Sequence, residues 1–254
     1  MNVRCAGKPA HSRGVVRYNN DMTEQSSHRY RVQVTGDVSG QVIVRCSIVA
    51  RLHQDGGPEP DQRFPNLTCV GRSIVLVDVQ DSGRLTSRQQ TRMRADLLRI
   101  CACGLAAIQQ PWEDADSMDL GDGLRFLMSP EITPPTRIID EFGMAVEDAL
   151  REHTAASGTS GRIRLRMAIH FGFLDRIDEA WSGEPLVHAT RLVNAVAVKQ
   201  LLRDSEHANL ALVVSDDFYQ KIIRQGHTRE SPAGYQRIDV VEKELATNAW
   251  ARLA

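Results

Sequence analysis

Seven residues, Ser73-Ile74-Val75-Leu76-Val77-Asp78-Val79, constrain this chain more than any others. The run is aliphatic and rich in β-branched residues, with no polar alternation, as in a strand covered on at least one face. Its single carboxylate stands one residue from the exit, where a charge needs a partner or water.

The pattern then changes period. From Leu85 to Gln110, apolar residues at Met93, Leu97, Leu98, Ile100, Cys101, Leu105 and Ile108 follow helical spacing, and Pro111 ends the helix. Met118-Asp119-Leu120 and Leu124 to Met128 are short strand patterns around Gly121-Asp122-Gly123, which predicts a β-hairpin tipped by a carboxylate. Pro134-Pro135 opens a second helix carrying Ile138, Ile139, Phe142, Val146, Ala149 and Leu150, and Ser157 to Gly161 closes it. Arg162 to Ile169 alternates charged and apolar residues and reads as a strand ending at His170-Phe171-Gly172. Leu186 to Leu202 predicts a third helix, Leu210 to Val214 a strand, and Asp216 to Arg224 a short helix. The order β-α-β-β-α-β, then α-β-α, predicts an α+β sandwich of ferredoxin-like type, an antiparallel sheet with helices on one side.

This domain is expected over residues 69–254, after an N-terminal extension of residues 1–68. The first thirty residues are polar and read as a loose tail. Alternation from Tyr30 to His53, broken by Gly36 and Gly40, predicts a small set of strands, and Gly56 to Pro65 reads as a linker.

Charge balance excludes some partners. A formal net charge of -1 gives no electrostatic case for duplex nucleic acid. The N-terminus lacks the apolar stretch of a signal peptide and no run approaches the ~20 apolar residues of a membrane span, so a cytoplasmic protein is expected. Five cysteines (Cys5, Cys46, Cys69, Cys101, Cys103) are odd in number, lack zinc-site spacing and read as free thiols.

Asp78 and Asp122 are the candidate chemical pair. Two-metal phosphoryl transfer needs hard oxygen ligands converging from separate elements, and a strand end beside a hairpin tip supplies that. Taken singly, a Gly-Asp-Gly turn is usually only a turn and an aspartate at a strand end is commonly a cap. Asp81 is the alternative ligand if the strand register shifts. His170, a lone histidine at a strand end, is assigned no chemistry.

Five segments in order resemble the class III nucleotide cyclases, from Ile74 to the C-terminus. Ile74 to Val79 and Leu120-Gly121-Asp122-Gly123 are similar to the two metal motifs of that family. Arg164 to Gly172 resembles the strand and turn before the catalytic helix, Gly183 to Leu192 the start of that helix, and Leu212 to Asp217 the strand after it. The resemblance implies attack of a ribose 3′-hydroxyl on the α-phosphate, with two Mg2+ or Mn2+ ions held by Asp78, Asp122 and the main-chain carbonyl of Val79. It assigns Arg191 to transition-state stabilisation and Lys243 to the phosphates. It further implies a head-to-tail homodimer with two equivalent sites at the interface.

The chain departs from purine cyclases where the base is read. Met118, Ala180 and Val187 stand at positions that are polar in those enzymes, and the segment between Gly172 and Gly183 is short. In this it resembles the pyrimidine cyclases of antiphage defence, the Pycsar type, whose cyclic UMP or cyclic CMP acts on a partner effector. UTP is favoured over CTP, and Trp112 is the candidate for stacking on the base, with core packing as the alternative. Two rivals stay open: an adenylate or guanylate cyclase with divergent base contacts, and a non-catalytic nucleotide-binding or interaction module on the same fold.

Overall fold

The computed structural model describes residues 15–17, 31–36, 42–47 and 68–254, apart from 159, 160, 179 and 244. The chain divides into two compact units, Met1–Pro65 and Asn66–Ala254. In the first, β1 (Val15–Arg17), β2 (Arg31–Gly36) and β3 (Val42–Ser47) form an antiparallel sheet with β2 central. Strands β2 and β3 follow the alternation in the sequence. β1 corrects the expectation of a loose tail at that point, since three residues carry too little periodicity to be recognised alone. The expected linker at 56–65 lies outside the described residues.

The second unit holds, in chain order, β4 (Thr68–Val79), α1 (Ser87–Ala107), β5 (Asp116–Asp119), β6 (Gly123–Met128), α2 (Pro135–Arg137), α3 (Met144–Ser157) and β7 (Leu165–Ile177). Then follow β8 (Ala180–Ser182), α4 (Glu184–Asn194), α5 (Val196–Asp204), β9 (Leu210–Ser215), α6 (Asp216–Phe218), β10 (Gln236–Glu242) and β11 (Leu245–Leu253). The eight strands form one sheet in the order β10-β11-β9-β7-β4-β6-β5, with β8 paired to the end of β7. β7 and β9 run parallel, joined through α4 and α5, while the other pairs are antiparallel. The sheet is therefore mixed, which corrects the wholly antiparallel expectation; a helical crossover is what parallel neighbours require.

Alternation along β4 sends Val75, Val77 and Val79 to one face and Ile74, Leu76 and Asp78 to the other. The first face packs with Leu97, Ile100 and Leu105 of α1 and Val146 and Leu150 of α3. Gly104 lets these helices meet, because a Cβ there would lie 2.7 Å from the Phe142 ring. The second face packs with Ala189, Leu192 and Val193 of α4 and Val198 and Leu202 of α5. Helices thus cover both faces, which corrects their expected placement on one side. The apolar stripe of 186–202 belongs to two helices broken at Ala195, whose backbone is extended (φ -53, ψ 134). Between α2 and α3 the backbone widens into a π-helical stretch, Ile138–Gly143, in which Ile138, Ile139 and Phe142 are all fully buried.

Candidate active site

Asp78 is the cross-strand neighbour of Gly123 on β6 and Arg166 on β7. Gly123 permits this approach: a Cβ there would lie 2.5 Å from the Val77 carbonyl oxygen. The hairpin turn needs a second glycine, since Gly121 has φ +90. Asp119 accepts a hydrogen bond from the Gly121 N–H at 2.7 Å, which holds its carboxyl below the usual range, and it pairs with Arg94 of α1. Arg94 also donates to the Gly123 carbonyl at 3.1 Å, tying the hairpin to the helix.

The tip returns to β4 through the Val79 N–H, which donates to the Asp122 carbonyl at 3.1 Å. In an extended residue the carbonyl points to the same edge as the N–H, so the Val79 carbonyl faces the Asp122 side. The Ser82 hydroxyl donates to Asp122 Oδ2 at 2.5 Å. Asp78 pairs with the guanidinium of Arg166, whose side chain is 7% exposed. Burial raises the Asp78 carboxyl above its ordinary pKa; Arg166 opposes that shift and the nearby Asp122 charge reinforces it.

Asp78, Val79 and Asp122 therefore come together. Among the described residues no group of three His, Cys, Asp or Glu side chains forms a metal cage. The oxygen set present instead fits magnesium or manganese, which bind through one or two carboxylates and leave positions for water and phosphate. A divalent ion there would relieve the mutual repulsion of the two carboxylates, which Arg166 offsets at Asp78. Asp81 opens the turn Ser82–Arg84 with φ 59, and Arg203 lies 4.0 Å from it.

The other expected site residues are spread over the second face and its edges. Val187 and Arg191, one helical turn apart, share a stripe of α4, which packs on β7, β4 and β9. Met118 on β5 is 46% exposed, and Ala180 opens β8. Lys243 sits at the β10–β11 tip, three strands from β4 and roughly 25 Å along the strands from the Asp78 row, so one chain does not bring them together. The Trp112 ring meets Phe126 edge-on at 5.8 Å on the α1 side, the face opposite Asp78, and is partly buried against the core there, the packing alternative to base stacking. Its partner Phe126 belongs to the alternate set of residues along β6, a parity that the isolated motif did not reveal.

Four residues escaped the sequence reading: Arg166, Ser82, Arg125 and Trp181. Arg166 left a signal, being a charge on the strand face that also carries Ala168 and His170. The Trp181 indole donates to Asp116 at 2.6 Å, beneath the guanidinium groups of Arg72 and Arg176. His170 is structural: its Nδ1 lies 2.8 Å from the Ser215 hydroxyl, and its ring stacks on His188 at 4.5 Å, joining β7, β9 and α4.

No protein-family model and no curated protein sequence matches the chain. Solved structures do. The chain is similar to an adenylate/guanylate cyclase/hydrolase from Silicibacter pomeroyi at 16% identity and TM-score 0.51, covering 74% of this chain and 99% of that one. It is also similar to the catalytic core of a rhodopsin-guanylyl cyclase with converted specificity, in complex with ATPalphaS, at 13% identity and TM-score 0.50, covering 74% and 98%. At these identities the likeness establishes the fold: a mixed α+β core of the class III cyclase type.

Proposed function

We propose that this chain is a nucleotide cyclase that converts a pyrimidine nucleoside triphosphate, UTP ahead of CTP, to its 3′,5′-cyclic monophosphate and pyrophosphate. The observation that carries the reading is the joining of Asp78, Val79 and Asp122 at one sheet end by a register that only glycine at 123 allows. In the reaction the ribose 3′-oxygen bonds to the α-phosphorus as the bridging P–O bond to the β-phosphate breaks, and the hydroxyl proton passes to solvent. Two Mg2+ or Mn2+ ions bound by Asp78, Asp122 and the Val79 carbonyl would supply Lewis-acid polarisation of the phosphate and acidify the hydroxyl. Ser82 orients the Asp122 carboxylate and Arg166 that of Asp78, so both are held in place before substrate arrives. Arg191 would meet the phosphoryl charge bidentately.

Arg191 and Lys243 lie on elements remote from the Asp78 strand end in sequence, and a head-to-tail homodimer would join one copy's carboxylates to the other's Arg191 and Lys243. Apolar residues at 118, 180 and 187, where the purine cyclases carry polar groups, support a pyrimidine, since the contacts that read a purine edge in those enzymes are missing. The cyclic product would then act as a second messenger on an antiphage effector. A purine reading has its own support, because both solved structures above are named as adenylyl or guanylyl cyclases. Incubating the protein with each of the four triphosphates and manganese decides: cyclic UMP or cyclic CMP formed fastest is expected, and faster turnover of ATP or GTP overturns the pyrimidine assignment.

A further inference from the structure

The second sheet face is only partly roofed. α4 and α5 lie over β7, β9, β10, β11 and part of β4, while the β5–β6 side carries exposed Met118 and Leu120. Across this strip the strands set three rows, each roughly 7 Å from the next. Asp116, Leu127 and Ile74 form the first; Met118, Arg125 and Leu76 the second; Gly123 and Asp78 the third. Arg125 is thus the only charged side chain of the middle row, flanked by apolar neighbours on both sides.

Its guanidinium is left over. Arg125 Nε is buried with no hydrogen-bond partner among the described residues. The nearby carboxylate is Asp116, whose Oδ2 already accepts the Trp181 indole N–H at 2.6 Å. The indole is fixed by that bond and by Arg72 and Arg176, whose guanidinium carbons lie 5.0 and 5.2 Å from its ring centre. The strip therefore offers an aromatic plate, a thioether at Met118 and a half-buried fork of N–H donors beside the Asp116 carboxylate. A buried polar group without a partner is costly, and a ligand that supplies acceptors recovers that cost.

We propose that Arg125 selects the base of the nucleotide, accepting uracil, cytosine or guanine by donating to a ring carbonyl oxygen and disfavouring adenine, which has none. An arginine only donates. Guanine offers the neighbouring acceptors O6 and N7 and cytosine O2 and N3, while uracil offers the carbonyls O2 and O4 on either side of its N3–H; adenine has no carbonyl oxygen, and its amino group stands beside both N1 and N7. The proposal rests on the nucleotide-cyclase reading and adds to it the residue that chooses the substrate class.

The test measures binding and turnover separately. α,β-Methylene analogues of UTP, CTP, GTP and ATP are titrated with manganese into the wild-type protein, Arg125→Met and Arg125→Lys, and kcat/KM is taken for the four natural triphosphates. The wild type is expected to bind a carbonyl-bearing base at least tenfold more tightly than adenine. Arg125→Met should erase that preference, losing about 10- to 100-fold on the favoured nucleotide with little change for ATP, at an unchanged circular dichroism spectrum. Arg125→Lys, with charge but no fork, should fall between. Wild-type preference for the ATP analogue, or full preference retained in folded Arg125→Met, overturns the proposal; the wild-type titration decides even if a variant fails to fold. Arg125-dependent binding without turnover of any triphosphate supports the proposal and sinks the cyclase reading. GTP favoured equally with the pyrimidines supports the proposal and removes the pyrimidine restriction.

Discussion

The two faces of the central sheet use the same strands to opposite ends. On the α1–α3 face, Val75, Val77, Phe126, Met167 and Ile169 are sealed under helices. On the α4–α5 face, the alternate residues of those strands include Asp78, Arg125, Arg166 and His170, and part of the strip is open. One face holds the strands in register, so the other can carry charges that would be intolerable in a core. The difference shows where a substitution should register as lost stability and where as lost chemistry.

The comparison breaks most visibly at the carboxylates. Asp122→Ala is expected to cut turnover at least 1000-fold, about 4 kcal/mol of transition-state stabilisation, while the thermal midpoint moves little. Asp78→Asn tests the strand residue, because Asp78→Ala would strand the buried Arg166 cation and unfold the protein for an unrelated reason. A rate within threefold of wild type in either variant ends the metal assignment. On the sealed face, Phe142→Ala should cost about 4 kcal/mol in denaturant titration, because Phe142 is fully buried and packed against Gly104. A cost below ~1 kcal/mol would show that face to be less tightly filled than its contacts imply.

The histidine pair sharpens the comparison through pH. Burial and the neighbouring His188 lower the His170 pKa from 6.5 to about 4, so the folded state prefers the neutral ring. The unfolded chain then binds the extra proton between those values. Stability is fully present above pH 6.5 and declines toward pH 4, by on the order of 3 kcal/mol. His170→Gln should flatten the acid limb of a stability-against-pH profile; an unchanged limb would place the acid sensitivity elsewhere. The smallest effect belongs to Trp112→Ala, which should cost about 2 kcal/mol and leave the KM for nucleotide unchanged. A raised KM with unaltered stability would restore that indole to the substrate.

Much of this was legible in the sequence. The apolar run of β4, the Gly-Asp-Gly tip and the 3.6-residue stripes of α1 and α3 are local signals, and they located Asp78 and Asp122. What was not legible depends on pairing. β10 and β11 alternate weakly, with Asp239 and Glu242 in one and Thr247 and Asn248 in the other, and gain strand identity from each other and from β9. The two-sided cover turned on a break at Ala195 that a continuous apolar stripe conceals. Arg125 and Arg166 could be recognised only after the register set them opposite Met118 and Asp78, and the side of the sheet on which Trp112 lies is visible only through its contact with Phe126.

Gly172 carries a consequence for how the seating of α4 on the sheet changes over time. A Cβ at this position would lie 2.4 Å from the Pro185 ring, against the ~3.5 Å of ordinary carbon contact. One hydrogen atom thus decides how closely the first turn of α4 hugs β7. Replacing it with a methyl group would push the first turn of α4 away from β7 by about 1 Å. The seating of that helix can therefore be retuned by selection at a residue outside the carboxylate pair, leaving the β4–β6 register intact.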